Sequence, residues 1–135
     1  MKKAIAALVA VVMIAAVIDV TVAAATSTPH AKALPPTSIT ITDYPKQVKA
    51  GQNFDVKGQL TSGGTGLGNK LIYHTYLDHT ENKWYWEWNF TTNADGSFTD
   101  TFSHNNPGPF TTRYEFWGDD QYAASTSEMI VMTAS

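Results

Sequence analysis

The chain of 135 residues contains no cysteine. It can therefore form no disulfide, carry no lipid on an N-terminal cysteine and use no thiol as a nucleophile. Basic residues are also scarce, with nine lysines and arginines against twelve aspartates and glutamates, and they form no cluster. This balance argues against nucleic acid and against anionic membrane surfaces as partners. A folded domain in this chain must be held together by its hydrophobic core alone.

Sequence motifs of common catalysts are missing as well. There is no Gly-x-Ser-x-Gly turn and no histidine pair at the spacing of zinc proteases. The glycine-rich segment Ser62–Lys70 has an asparagine where a phosphate-binding loop needs its lysine. Charged residues on a solvated strand face explain Glu87 and Glu115 better than a pair of glycosidase carboxylates does. We therefore predict a protein that is not an enzyme and that uses no cofactor. A solvated hairpin end, rather than a metal site, explains the polar cluster of His74, Asp78, His79 and Glu81.

The N-terminal 33 residues differ from the rest of the chain. Lys2 and Lys3 precede an apolar run over residues 4–18, and small residues follow, which is the order of a secretory signal peptide. Ala-x-Ala patterns predict cleavage after Ala25 or Ala33. An uncleaved membrane anchor is the alternative, although a lone aspartate interrupts the apolar run.

Export changes the charge and the location of the remaining chain. Cleavage after Ala33 removes three lysines and one aspartate, so the formal net charge changes from −3 to −5. Residues 34–37 then remain as a proline-containing linker remnant before a single domain at residues 38–135. We expect this domain to be secreted or attached to the cell surface, and away from the membrane unless the leader is retained.

Alternating apolar and polar residues, separated by glycine, proline and asparagine turns, indicate an all-β domain. No segment has the period of a helix, and the short spacing of strands and turns is typical of an antiparallel β-sandwich. The seven predicted strands are Ser38–Thr42, Asn53–Thr61, Lys70–Leu77, Lys83–Phe90, Ser97–Ser103, Phe110–Trp117 and Thr126–Thr133.

The period of two also predicts which side chains face the core. In the second strand these are Phe54, Val56, Gly58 and Leu60, and in the sixth they are Phe110, Thr112, Tyr114 and Phe116. The sixth strand then places two charged side chains and a tryptophan on or near the exposed face: Arg113, Glu115 and Trp117. The last strand is ambiguous, because Ile130 with Met132 and Met129 with Val131 are equally apolar pairs.

A set of motifs from Pro45 to the end resembles the immunoglobulin-like repeats of prokaryotic cell-surface proteins. They are Val48, Ala50-Gly51, Phe54-x-Val56-x-Gly58-x-Leu60, Gly66-Leu67, Asn93-Ala94-Asp95-Gly96-Ser97-Phe98, Pro107-Gly108-x-Phe110, Phe116-x-Gly118-Asp119 and Tyr122-x-x-Ser125-x-Ser127. The resemblance implies that the Asp95-Gly96 turn joins two strands and that the serine-bearing final strand closes an immunoglobulin-like sandwich. This sequence departs from the pattern in its density of tryptophan and tyrosine between Tyr73 and Trp88.

That aromatic density is the main indication of function. In an extended strand Trp84, Trp86, Trp88 and Phe90 share one face. The face either packs in the core, or stacks on sugar rings, or docks a protein. The predicted ligand-binding residues are Trp84, Tyr85, Trp86, Trp88 and Trp117.

The sequence thus predicts a non-catalytic, secreted or surface-bound module with a binding, structural or adhesive role. Cell-surface polysaccharide and another surface protein are the alternative partners; in the second case the chain would be an accessory or inhibitor protein. Asn89 begins an Asn-Phe-Thr acceptor pattern for N-glycosylation, which requires its side chain to face solvent.

Overall fold

The structure, a computed structural model, describes residues 33–135. The predicted leader, its cleavage after Ala25 and its possible retention as an anchor lie outside the described residues. Within residues 33–135, no helix is long and apolar enough to cross a membrane.

The described chain forms ten β-strands in two sheets. Six of the seven predicted strands are present as single strands, the seventh is divided in two, and two further strands of two residues accompany them. In chain order they are β1 Ser38–Asp43, β2 Gln47–Val48, β3 Phe54–Ser62, β4 Thr65–Gly66, β5 Leu71–Asp78, β6 Lys83–Thr91, β7 Ser97–Phe102, β8 Gly108–Phe116, β9 Ser125–Thr126 and β10 Ile130–Ala134.

The two sheets have four and six strands. In the four-stranded sheet β3 pairs with β1, β7 and the short β4, whereas the six-stranded sheet has the order β2-β10-β8-β5-β6 with β9 also against β8. Every pairing is antiparallel except that of β2 with β10. The predicted antiparallel, immunoglobulin-like sandwich is confirmed.

The predicted last strand is interrupted, because the side chain of Ser127 takes the place of a backbone carbonyl in the hydrogen-bond ladder with β8. The hydroxyl of Ser127 accepts a hydrogen bond from the backbone N–H of Tyr114 at 2.9 Å, and the N–H of Ser127 donates to the carbonyl of Tyr114 at 2.8 Å. The segment therefore divides into β9 and β10. Beyond this break Ile130 and Met132 are buried while Val131 is 53% exposed, which resolves the ambiguous register.

Apolar side chains from both sheets form the core between them. The predicted facing of β3 and β8 is confirmed, since Val56, Leu60, Tyr114 and Phe116 are all buried. These four residues pack in one cluster with six others: Ile39, Leu67, Ile72, Phe98, Ile130 and Met132.

The aromatic strand β6 does not keep a single face, which corrects the prediction for Trp84, Trp86, Trp88 and Phe90. Trp88 pairs with His74 and Trp86 pairs with the very next residue of β5, so Glu87 is an extra residue in a β-bulge. A bulge shifts the alternation by one residue. Trp88 and Phe90 consequently point toward the core, while Trp84 and Trp86 lie on the outer face.

The residues just before β1 lie against the loop that follows β8. The Thr37 hydroxyl donates to the carbonyl of Ala123 at 2.8 Å, and the Ala123 N–H donates to the carbonyl of Pro35 at 2.9 Å. These bonds attach the predicted linker remnant at residues 34–37 to the domain.

Candidate functional site

Four aromatic side chains on the outer face of the six-stranded sheet come from the neighbouring strands β5 and β6 and from the residue after β8. The strand register explains the grouping, because the central Thr75 of β5 pairs with Trp86 on one side and with Arg113 on the other. Tyr73 and Trp84 are two positions from Thr75 and Trp86 on the same strands and therefore lie on the same face. Trp117 follows two positions after Glu115, which pairs with Tyr73. We call the outer aromatic face the set of Tyr73, Trp84, Trp86 and Trp117.

The rings of this face hold one another in place. Tyr73 and Trp117 are stacked with centroids 3.5 Å apart and an interplanar angle of 9°. Trp86 lies nearly perpendicular to both, at 5.7 Å from Tyr73 and 6.3 Å from Trp117. Even so, Trp86 is 54% and Trp117 51% exposed. The two indoles are therefore open to solvent and also fixed in orientation by neighbours.

Paired charges border the outer aromatic face. The guanidinium of Arg113 lies 4.0 Å from the ring centre of Trp84, a cation–π contact, and its Nη2 is 3.1 Å from Oε2 of Glu115. The other oxygen of Glu115 accepts a hydrogen bond from Trp117 Nε1 at 3.1 Å. Beneath this layer Thr75 is buried although it points away from the core. The side chains thus form a thin ordered layer over the sheet.

The structure separates the five predicted ligand-binding residues. Trp84, Trp86 and Trp117 lie together on the outer aromatic face. Tyr85 is on the other side of the bulged strand, where its hydroxyl donates to Glu81 Oε1 at 2.6 Å, and Trp88 lies half-buried between the sheets. The set therefore does not form one continuous surface.

Asn89 has the exposure that the glycosylation prediction requires. It pairs with Tyr73 across the strands, its side chain is exposed, and the following Phe90 is partly buried. Whether a glycan is attached there stays a prediction.

A buried carboxylate joins the two sheets, and no pattern in the sequence indicates it. Asp100 of β7 is 4% exposed and accepts three hydrogen bonds from the opposite sheet. The donors are His74 Nδ1 at 2.8 Å, Tyr114 Oη at 2.9 Å and Trp88 Nε1 at 3.0 Å. Each comes from a different strand, so one side chain fixes the position of β5, β6 and β8.

The imidazole of His74 is the centre of this network. It is 1% exposed and stacked on Trp88 with centroids 4.0 Å apart, and its Nε2 lies 3.6 Å from Glu87 Oε1. Burial alone would lower the pKa of His74, but the hydrogen bonds and negative charges of Asp100 and Glu87 outweigh burial and raise that pKa. Burial, with the charge and hydrogen bond of Asp100, also raises the pKa of the Tyr114 hydroxyl.

Next to this network a cavity of about 340 Å³ opens between the sheets. Its wall includes Glu87, His74 and the aromatic side chains of Tyr76, Trp88 and Phe110. The bulge in β6 turns Glu87 toward this cavity, while Glu115 lies on the opposite face of the same sheet. The two carboxylates therefore cannot flank one glycosidic bond.

The polar hairpin end does not assemble into a metal site. The predicted solvated position is wrong for His74, which is 1% exposed and belongs to the buried network, whereas Asp78 Oδ1 accepts the backbone N–H groups of Thr80 and Glu81 in the turn. Across residues 33–135 no group of three or more histidine, aspartate or glutamate side chains is placed to hold a metal ion.

Comparison with known proteins shows likeness in fold. No protein-family model matches the chain, and no curated protein matches it. The solved D00-D0 domain of intimin is 12% identical with a TM-score of 0.50, over 76% of this chain and 50% of that one, so this chain spans about half the length of the intimin chain. A PKD domain of an M14-like peptidase from a Thermoplasmatales archaeon gives 14% identity and a TM-score of 0.48, over 77% of this chain and 98% of that one. A CARDB domain from Pyrococcus furiosus gives 10% and 0.45, over 76% and 90%. The described chain has the immunoglobulin-like sandwich of prokaryotic domains such as that of intimin.

Proposed function

We propose that this chain is an exported, non-catalytic immunoglobulin-like module that binds polysaccharide through its outer aromatic face. The observation that carries the proposal is the pair of indoles, Trp86 and Trp117, each more than half exposed on one sheet face. Large exposed apolar side chains grouped on one surface usually mark a binding site. Export follows from the predicted leader, and a structural or adhesive role is the consequence of such binding.

Fixed aromatic rings suit sugars because the apolar C–H face of a pyranose can stack on an indole. Trp117 is held by Tyr73 on one side, so little side-chain freedom is lost when a ligand binds. Glu115, Arg113 and Asn89 at the margin offer donors and acceptors to sugar hydroxyls. The planes of the two exposed indole rings make an angle of 89°. Rings in this arrangement fit a bent or terminal sugar unit better than a flat crystalline surface.

The test is retention on insoluble cell-wall glycans, followed by titration of a soluble oligosaccharide from the glycan that retains the protein. We expect Trp86→Ala and Trp117→Ala each to weaken binding about tenfold or more, which corresponds to about 1.4 kcal/mol. The matched control is Tyr85→Ala, an aromatic residue of the same strand that lies off this face. All variants are checked for folding by circular dichroism.

Retention of Trp117→Ala at the wild-type level would show that the outer aromatic face is not the glycan-binding surface. If no glycan retains the protein, and if the protein instead captures one surface protein in an interaction that Trp86→Ala abolishes, the protein-docking alternative replaces the proposal.

A further inference from the structure

The cavity between the sheets is separate from the outer aromatic face and has a defined chemical character. Its volume of about 340 Å³ is near the lower end of the roughly 300–1,000 Å³ that is typical of small-molecule sites. Tyr76, Trp88, Phe102 and Phe110 supply aromatic wall. Sites of this kind combine such walls with a few polar groups that select the ligand.

Among the described residues that line this cavity Glu87 supplies the only carboxylate, and the other polar groups are three imidazoles and several hydroxyls, including those of His79, His104 and Ser103. Glu87 reaches the cavity only because the β-bulge turns it away from the regular alternation of β6. Bulges often redirect a side chain next to functional sites. The side chain is 43% exposed, so a ligand can reach it.

The balance of charge at the cavity is negative. Behind Glu87 lie His74 and Asp100, so a single imidazole stands between two carboxylates. Among the described residues that line the cavity there is no lysine or arginine. The group of Glu87, His74 and Asp100 therefore keeps at least one net negative charge in either protonation state of His74, which disfavours anionic ligands and favours a cation.

We propose that this cavity binds a small organic ammonium ion, with the positive group between the Glu87 carboxylate and the aromatic rings. A cation near aromatic faces and a carboxylate gains both cation–π and ionic attraction, and the effect grows when water is excluded. Quaternary ammonium groups fit this combination because they attract without needing hydrogen-bond acceptors.

The probe is choline, compared with its uncharged isostere 3,3-dimethylbutan-1-ol, titrated into the full chain and followed by nuclear magnetic resonance and tryptophan fluorescence. We expect saturable binding of choline and at least tenfold weaker binding of the isostere. Glu87→Gln should weaken choline binding at least tenfold while circular dichroism remains unchanged. The matched control is Glu115→Gln, which removes a carboxylate from the opposite face of the same sheet and should leave choline binding unchanged.

Equal affinity for choline and the isostere would overturn the proposal, because the charge would then be irrelevant. It would also be overturned if choline showed no saturation at tens of millimolar, or if Glu115→Gln and not Glu87→Gln abolished binding. None of these results depends on whether the outer aromatic face binds polysaccharide.

Discussion

Replacing Asp100 by asparagine should remove most of the polar attachment between the two sheets. The carboxylate accepts hydrogen bonds from His74, Trp88 and Tyr114, and it is almost fully buried. An asparagine has one carbonyl oxygen and an amide that can only donate. At least one of the three donors then loses its acceptor, and the buried imidazolium loses its closest negative charge.

The size of the effect follows from these losses. Breaking a buried ion pair by removing one partner costs about 3–5 kcal/mol, and a hydrogen bond to a charged group contributes about 1.5–3 kcal/mol. We expect Asp100→Asn to lower the free energy of unfolding by about 3–5 kcal/mol at pH 6. With a urea slope of about 2 kcal/mol per molar, the midpoint should fall by about 2 M.

Equilibrium urea unfolding, followed by tryptophan fluorescence, measures this shift. The matched control is Asp55→Asn, which removes an exposed carboxylate that accepts one hydrogen bond from Thr101, and it should cost less than about 0.5 kcal/mol. If Asp100→Asn lost less than about 1 kcal/mol, the network would contribute little and the reasoning about the buried carboxylate would be wrong.

Three further outcomes follow from the structure. Because folding raises the pKa of His74, the stability that its protonated form contributes is complete below about pH 6.5 and is lost as pH rises through the higher pKa of the folded state. Urea midpoints measured between pH 5.5 and 9 should therefore fall with rising pH. The variant His74→Gln should flatten this pH dependence. Acrylamide should quench the emission of Trp86 and Trp117 more than that of Trp88. The double variant Trp86→Phe and Trp117→Phe should therefore lose most of the quenchable emission. Equal quenching slopes for the wild type and the variant would contradict this expectation. Gly66→Ala places a methyl group against the backbone of Asp95 and should lower the free energy of unfolding by about 1–3 kcal/mol in the same urea assay, and wild-type stability in this variant would refute the close approach.

Much of the fold could be predicted because it follows from local patterns. The inward sets predicted for β3 and β8 contain the buried apolar residues of these strands, although in β8 the outward Thr111 is buried as well. The Asp95-Gly96 turn is also where the sequence places it, with Gly96 at a φ of 86° that favours glycine. These features depend only on neighbours along the chain.

The candidate sites could be predicted only in part, since they depend on pairing between distant segments. Nothing near Trp86 and Trp88 marks an extra residue in the ladder, so the rule of alternation placed both on one side. The role of His74 depends on Asp100, a residue 26 positions away in the other sheet. A buried histidine beside an aromatic strand is compatible with many partners, and the sequence cannot select among them. Trp117 was placed correctly because β8 has no bulge.

The single extra residue in β6 has a consequence for how such a domain can change over evolutionary time. Deletion of Glu87 would restore regular alternation in β6, with Trp86 still outside opposite Thr75 and Trp88 still inside opposite His74, and it would remove only the carboxylate that reaches the cavity. Insertion or deletion of this one residue would then separate relatives that carry a carboxylate at the cavity from relatives that present only the aromatic surface.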